Sequence, residues 1–124
     1  MNPAEKGRRW RQAHPERPLV YDARRRARAR GIPFDITHGE VQEIISSWTC
    51  TYCGTLVGTF AGGLRPQSAT LDRLVPELGY VKGNVCLACH ACNSAKGEHT
   101  LQSLRAWADK LEGIINRNHP TRMT

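Results

Sequence analysis

Residues 50–53 read Cys50-Thr-Tyr-Cys53 and residues 89–92 read Cys89-His-Ala-Cys92, and these two Cys-x-x-Cys pairs decide the fold. They are separated by 35 residues. Each pair can grip a metal ion from a tight turn, and four thiolates complete the tetrahedral shell that Zn²⁺ prefers. The spacing therefore predicts one structural zinc site with four cysteine ligands, Cys50, Cys53, Cys89 and Cys92.

The fifth cysteine, Cys86, leaves a second ligand set open. Cys86 and Cys89 also form a Cys-x-x-Cys pair, so Cys50, Cys53, Cys86 and Cys89 are a rival set. We favour the set with Cys92, because Cys86 falls two residues into a predicted strand. A small buried side chain is the ordinary interpretation of a cysteine there.

Further motifs lie between and after the two pairs. They are Thr70-Leu-Asp72-Arg73-Leu74-Val-Pro76, Gly79-Tyr80-Val-Lys-Gly83-Asn84-Val85 and Asn93-Ser-Ala-Lys96-Gly97. With the cysteine pairs they cover about 48 residues, Cys50 to Gly97, in an order and spacing that resemble the HNH (ββα-metal, His-Me finger) endonuclease family. The resemblance is to a small, phage-like member. It implies a small α+β fold, with a zinc-stapled ββα-metal core, flanking helices and a basic N-terminal arm.

The resemblance also implies a catalytic site. In this family the residues that match Asp72 and Asn93 ligate a divalent cation, and hard oxygen donors suit Mg²⁺ or Mn²⁺. The residue that matches Asn84 fixes a loop and orients the general base. The implied activity is hydrolysis of phosphodiester bonds in DNA.

One position departs from the family pattern. The general-base histidine that follows the aspartate is Arg73 here, and a guanidinium stays protonated and accepts no proton. Arg73 could clamp the phosphate while another group or the metal deprotonates water. A base could instead come from Tyr80, His90 or His99, of which we rank His90 first. In the third account catalysis has been lost and a DNA-binding shell remains.

The charge is concentrated at the N-terminus. The 124-residue chain has a net charge of +7, and residues 1–30 hold ten basic side chains against three acidic ones, which accounts for all of it. Such an arm favours contact with a phosphate backbone. DNA is the expected partner and RNA a possible one. The residues expected to contact nucleic acid are Arg8, Arg9, Arg11, Arg24, Arg25, Arg28 and Lys96.

The chain divides into four segments. We predict a flexible basic tail over residues 1–16, two helices over 17–49, the zinc-bound HNH domain with its C-terminal helix over 50–115, and a tail over 116–124. A helix from Pro18 to Arg30, with Leu19, Ala23, Ala27 and Arg30 on one stripe, should stop at Gly31, and Thr37 with Glu40 forms a capping box for the next. Residues 69–75, apolar at alternate positions, are predicted to form the first strand of the ββα unit, and residues 85–88 the second. The apolar side of the last helix, capped by Thr100, is expected to pack in the core.

Composition limits the remaining classes. Aromatic residues make up 6% of the chain, so a bound metal would replace missing hydrophobic burial. No apolar run approaches 18 residues, and residues 1–30 lack the apolar region of a secretory signal. We expect a cytoplasmic protein, in the host cytoplasm if phage-encoded, without membrane contact, and either monomeric or homodimeric. The function hypotheses are a metal-dependent HNH-type DNA endonuclease and, alternatively, an inactive zinc-stabilised nucleic-acid-binding module.

Overall fold

The computed structural model describes residues 2–60 and 62–120, and it is a small α+β fold. The helices are α1 (Pro3–Ala13), α2 (Glu16–Arg30), α3 (His38–Ile45), α4 (His90–Lys96) and α5 (Leu101–Asn118). The strands are β1 (Phe34–Asp35), β2 (Ala69–Arg73), β3 (Tyr80–Val81) and β4 (Val85–Cys89), with a 3₁₀ turn over Pro76–Leu78. They form two small sheets, in which β1 pairs with β3 in parallel and β2 with β4 in antiparallel.

The sheet of β2 and β4 is the centre of the molecule. Ala69 lies opposite Cys89 and Arg73 lies opposite Val85, so all five positions of each strand are paired. Every residue of β2 is buried. α4 begins directly after β4, at His90. The predicted order of strand, strand and helix is therefore present, although β2 ends at Arg73 where the sequence predicted a strand to Val75.

The core forms where α2 and α3 pack against this sheet. Val20 of α2, Val41 of α3 and Leu87 of β4 are almost fully buried. The predicted stripe on α2 is confirmed for Leu19, Ala23 and Ala27, which are all buried. Arg30, the fourth member of that stripe, is exposed, because its long side chain reaches beyond the core to the carboxylate of Glu98.

The predicted helix ends are confirmed on both sides of β1. Gly31 takes the left-handed conformation at φ 66° that ends α2. The Thr37 hydroxyl accepts a hydrogen bond from the Glu40 backbone N–H at 3.1 Å, and the Glu40 carboxylate returns to the Thr37 backbone. This capping box satisfies two backbone donors that the first turn of α3 leaves free.

The prediction of a flexible tail over residues 1–16 is corrected, because residues 3–13 form α1. The Asn2 side chain accepts a hydrogen bond from the Glu5 N–H at 2.8 Å, and Pro3 sits in the first turn. Both features favour a helix start. None of the residues of α1 is buried. The predicted domain boundary after residue 16 also falls inside α2, which already begins at Glu16.

The prediction that α5 packs in the core is wrong. None of its 18 residues is buried, and Leu101 and Trp107 are 64% and 63% exposed. The helix also continues to Asn118, so the predicted tail over 116–124 is helical at its start. Residues 121–124 of that tail lie outside the described residues. The apolar pattern was correct for a helix but did not say what covers it.

A search of the described helices found none with the length and apolar content needed to cross a membrane.

Gly79 joins the two sheets in a conformation that other residues rarely adopt. Its φ is +80°, and a Cβ there would overlap the carbonyl oxygen of Pro33, which accepts the Tyr80 N–H at 2.9 Å. Gly83 has a similar φ of +85°, but a Cβ there would meet no atom within 4 Å. A substitution at either glycine would therefore strain the backbone, but only at Gly79 would the added Cβ atom also overlap a neighbouring group.

We expect Gly79→Ala to lower the free energy of unfolding by about 3 kcal/mol, through strain and displacement of β1 from β3. Gly83→Ala should lower the free energy of unfolding by only about 1 kcal/mol, because it strains the backbone but its Cβ atom overlaps no neighbouring group. Urea unfolding of the zinc-loaded protein measures both. Equal losses in the two variants would contradict the close approach of Gly79 to Pro33.

Candidate metal centre and the adjoining polar site

The four predicted zinc ligands come together in space. The Sγ atoms of Cys50, Cys53, Cys89 and Cys92 all lie within 4.8 Å of one another, and those of Cys53 and Cys89 are 3.9 Å apart. Zinc–sulfur bonds of about 2.3 Å in a tetrahedron place sulfurs about 3.8 Å apart. The cluster therefore fits a tetrahedral metal ion such as Zn²⁺ in both ligand type and spacing.

The first cysteine pair is held by backbone hydrogen bonds. The N–H of Cys50 donates to the Thr55 carbonyl at 2.8 Å, and the N–H of Gly54 donates to the Cys50 carbonyl at 2.9 Å. The Thr51 N–H also reaches the Leu87 carbonyl at 2.8 Å. Since Leu87 lies two residues before Cys89 in β4, this bond aligns the first pair with the second.

The second pair lies where β4 becomes α4. Cys89 precedes the first residue of α4, and its sulfur accepts a hydrogen bond from the Cys92 N–H at 3.4 Å. A cysteine in that position can therefore cap the helix and bind a metal with one sulfur. The backbone geometry that starts α4 also directs Cys92 towards the cluster.

The thiols of the cluster ionise unequally. Burial raises the pKa of the Cys50 thiol, but hydrogen bonds from the backbone of Cys53, Cys89 and Tyr52 outweigh it and lower the pKa to about 6. The hydrogen bond with the Cys89 thiol is the largest cause that raises the pKa of Cys92 to about 12. Four thiolates this close together repel one another, so a cation that replaces their protons suits the cluster.

Cys86 lies outside the cluster, which favours the predicted ligand set over the rival one. Its thiol is directed to the Tyr52 hydroxyl at 3.6 Å. Burial raises the pKa of the Cys86 thiol, so it stays protonated at neutral pH. Cys86 pairs with Asp72 across the sheet, and this position directs it to the polar site rather than to the four sulfurs.

A polar site adjoins the cluster at Asp72, which is only 4% exposed. Its carboxylate accepts a hydrogen bond from the Tyr52 hydroxyl, and the Lys96 ammonium lies 3.3 Å from Oδ2. Lys96 also donates to the Arg73 carbonyl at 2.7 Å. Partial burial and the bond to Asp72 raise the pKa of Tyr52, which therefore remains a hydrogen-bond donor. The buried carboxylate is thus paired with one hydroxyl donor and one ammonium group.

Arg73 is bound internally. Its guanidinium donates two hydrogen bonds from Nη2 to the Glu98 carboxylate, at 2.7 and 2.9 Å, and one from Nη1 to the Pro76 carbonyl at 2.8 Å. The guanidinium carbon lies 5.4 Å from the centre of the Tyr80 ring. These contacts occupy three of its five N–H donors, so Arg73 holds β2 to the segments around Pro76 and Glu98.

Asn84 fixes the loop between β2 and β4, as the resemblance implies. Its side-chain oxygen accepts the Val75 N–H at 2.9 Å. Its amide nitrogen donates to the carbonyls of Val75 and Gly79 at 3.0 and 2.7 Å. The expected role in orienting a general base stays a prediction.

Asn93 shares a cavity with Asp72, whereas His90 does not line it. The cavity has a volume of about 100 Å³, and its polar lining includes Asp72, Asn93 and Lys96. The Asn93 amide nitrogen donates to the Thr70 hydroxyl at 3.0 Å, while its side-chain oxygen remains able to bind a cation. The His90 ring instead lies 3.4 Å from the Ser94 hydroxyl. The structure thus joins the two proposed cation ligands but does not bring His90 to them.

The predicted arm is exposed along both N-terminal helices. The side chains of α1 and α2 that we expected to contact nucleic acid are all exposed, namely Arg8, Arg9, Arg11, Arg24, Arg25 and Arg28. Lys96 is 16% exposed at its side chain and faces Asp72, so it belongs to the polar site rather than to the arm. Its contact with nucleic acid stays a prediction.

Four residues of the polar site were missed by the sequence analysis. Arg26 and Arg30 line the cavity from α2, and Arg30 lies 3.3 Å from Glu98. The position of Arg30 on the apolar stripe of α2 was a sequence signal that its side chain lies on the inward side of the helix. Tyr52 lies inside the first cysteine pair, but its spacing does not show that it reaches Asp72. Nothing in the sequence pairs Glu98 with Arg73.

Comparison with protein-family models, curated proteins and solved structures found no match to this chain. The resemblance to HNH endonucleases therefore rests on the sequence motifs alone.

We expect Cys92→Ser to lose bound zinc and Cys86→Ser to keep about one ion per chain, because only Cys92 lies in the sulfur cluster. The metal content of each purified variant, measured by mass spectrometry, tests this. Loss of zinc should also unfold the region around α4, visible by circular dichroism. Full zinc retention in Cys92→Ser would show that the ligand set is wrong.

Proposed function

We propose that this protein is a metal-dependent DNA endonuclease of HNH type. The observation that supports it best is the shared cavity of Asp72 and Asn93 beside the four-cysteine cluster. A buried carboxylate and an amide oxygen in one polar cavity are the donors that Mg²⁺ or Mn²⁺ takes from protein, leaving other positions for phosphate oxygens and water. The zinc-stapled fold would hold these donors rigidly.

The fit of a catalytic cation can be judged from Asp72. Its carboxylate is paired with the Lys96 ammonium, which a bound cation would have to displace. Asp72 and Asn93 would hold the cation. When bound, it supplies Lewis-acid stabilisation of charge on the scissile phosphate and on the leaving oxygen. Tyr52 would keep the Asp72 carboxylate oriented by its hydrogen bond.

The basic side chains around the cavity suit a phosphodiester substrate. Arg26 and Arg30 line it from α2, so they can draw a phosphate towards Asp72 and Asn93. The exposed arginines of α1 and α2 would bind neighbouring phosphates and position the duplex. Such binding weakens as salt rises, because counterions compete for the backbone.

The contacts of Arg73 bear on the three accounts of its role. Three of its five N–H donors bind Glu98 and Pro76, which disfavours a direct phosphate clamp. We therefore propose Arg73 as a positioning residue that fixes Asp72 through β2. His90 stays the first-ranked candidate for the general base, although it does not line the cavity that Asp72 and Asn93 share. It begins α4 one turn before Asn93, and its hydrogen bond to Ser94 at 3.4 Å is long enough to exchange for a water.

The alternative function is an inactive zinc-stabilised module that binds DNA or RNA. The pairing of Asp72 with Lys96 favours it, because the ammonium already neutralises the carboxylate that would bind the cation. Under this alternative the basic arm carries the whole function. The two functions differ in whether the protein cleaves DNA when a divalent cation is added.

We expect the zinc-loaded protein to cleave plasmid DNA only with added Mg²⁺ or Mn²⁺. Asp72→Asn should reduce the rate by at least about 100-fold, because the cation loses its charged ligand. Asp35→Asn, an exposed carboxylate on β1, is the matched control and should leave the rate unchanged. Gel analysis of nicked and linear plasmid measures both. Binding without cleavage under either cation would favour the alternative.

Arg73→Met should lower the free energy of unfolding by about 1–2 kcal/mol, a reduced value because Glu98 is half exposed and can be solvated. Cleavage per folded, zinc-loaded molecule should fall less than about tenfold, since Arg73 does not touch the substrate in this proposal. Urea unfolding and plasmid cleavage are measured side by side. A loss of cleavage rate as large as that of Asp72→Asn, with unchanged stability, would show that Arg73 acts directly in the cleavage reaction.

A further inference from the structure

The last helix carries an apolar surface that the described part of the chain leaves open. Leu101, Leu104, Ala108 and Leu111 of α5 are exposed, and Ile115 is half-buried. We call these five residues the apolar seam. Two further large side chains, Trp107 and Ile114, are 63% and 46% exposed beside it. Contiguous apolar surface of this kind marks an interaction site.

The spacing of the apolar seam is that of a coiled coil. Its five residues follow one another at intervals of three, four, three and four. This places them at the a and d positions of successive heptads, which face a partner helix of the same pattern. An ordinary surface helix that packs on its own domain is also apolar at its a, d and g positions, and it buries them. α5 has apolar residues at all three, with Trp107 and Ile114 at g, but none of its residues is buried.

The charges that flank the apolar seam identify the partner as a second copy in antiparallel orientation. With a and d layers matched, Leu104 meets Ile115 of the partner copy, and Ala108 meets Leu111 of the partner copy. Arg105 then lies opposite Glu112 of the partner copy, and the two-fold axis repeats this opposite-charge pair. On the other flank Trp107 lies beside Ile114 of the partner copy. In a parallel pair the e positions that Arg105 and Glu112 occupy would face g positions, so these charges would not meet.

We propose that two copies of this chain associate through an antiparallel pair of α5 helices. The interface is isologous, since each side chain meets the partner's equivalent set. α5 has 18 residues and is therefore about 27 Å long. An interface of this size is at the lower end for specific association, so the dimer should be reversible, with a Kd on the order of micromolar.

Dimerisation through α5 would affect which DNA strands are cleaved. This part of the inference rests on the proposed endonuclease function. The strands of a DNA duplex are themselves related by two-fold axes. A symmetric dimer presents one site to each strand, whereas a single site nicks one. Two linked copies on one duplex also raise the effective concentration of the second site. The dimer would thus favour cleavage of both strands.

Sedimentation equilibrium of the full-length, zinc-loaded protein without DNA tests the association directly. We expect a monomer–dimer equilibrium in the wild type. Arg105→Glu and Glu112→Arg each place like charges together and should weaken the dimer by about tenfold or more. The double variant Arg105→Glu/Glu112→Arg restores opposite charges, and its dimer Kd should lie within about threefold of the wild-type Kd.

Lys110→Glu is the matched control, because it makes the same charge change on the face of α5 opposite the apolar seam and should leave the dimer unchanged. Circular dichroism verifies that α5 stays helical in each variant. In Glu112→Arg the new arginine lies one turn from Asp109 and can form an ion pair with it. α5 should therefore stay helical in this variant even if it frays in Arg105→Glu.

Two results would overturn the proposal. One is a wild-type protein that stays monomeric at concentrations on the order of 100-fold above the expected Kd. The other is a dimer that neither single charge reversal weakens, or that the double variant fails to recover. Neither measurement involves DNA or a catalytic cation, so failure here is distinct from failure of the endonuclease proposal.

Discussion

The four-cysteine cluster joins two segments of the chain that are 35 residues apart, and the polar site depends on that junction. The strands on either side are short, with five residues each in β2 and β4, and the chain has few aromatic side chains for a larger core. A metal held by four thiolates contributes folding free energy that such a core lacks. Because Cys89 ends β4 and Cys92 lies in α4, the same junction sets where the helix leaves the sheet.

The polar site is tied to the four-cysteine cluster through one side chain. Tyr52 lies between two cluster cysteines, and its hydroxyl donates to Asp72, so the cluster positions the buried carboxylate. Lys96 neutralises that carboxylate from α4, and the Arg73–Glu98 pair holds the adjacent end of β2. The buried charges of Asp72 and Arg73 thus each have an oppositely charged partner, which is the condition for burying them. In the proposed function, substrate or cation binding would exchange one of these partners for another.

Much of the fold was predictable because local spacing carries it. The four-cysteine cluster follows from the spacing of two Cys-x-x-Cys pairs, and the capping box of α3 follows from Thr37 and Glu40. The strand–strand–helix order follows from the alternation and turn residues after Pro66. α1 was missed although Asn2 and Pro3 are ordinary helix-start residues, since the proline and glycine content of residues 1–16 and their few periodic apolar side chains suggested a tail. The capping box, the start of α1 and each Cys-x-x-Cys pair depend on residues within a few positions of one another.

Sequence by itself determined the ligand set of the metal centre, the order of the elements and the concentration of positive charge in the N-terminal arm. Only the tertiary structure decided which charges meet. Asp72 contacts Tyr52 and Lys96, which are 20 and 24 residues away, and Arg73 contacts Glu98, 25 residues away. Such pairs depend on how strands and helices pack, which local spacing does not encode. The same holds for α5, because an apolar stripe requires a partner surface but does not say whether the partner is the chain's own core.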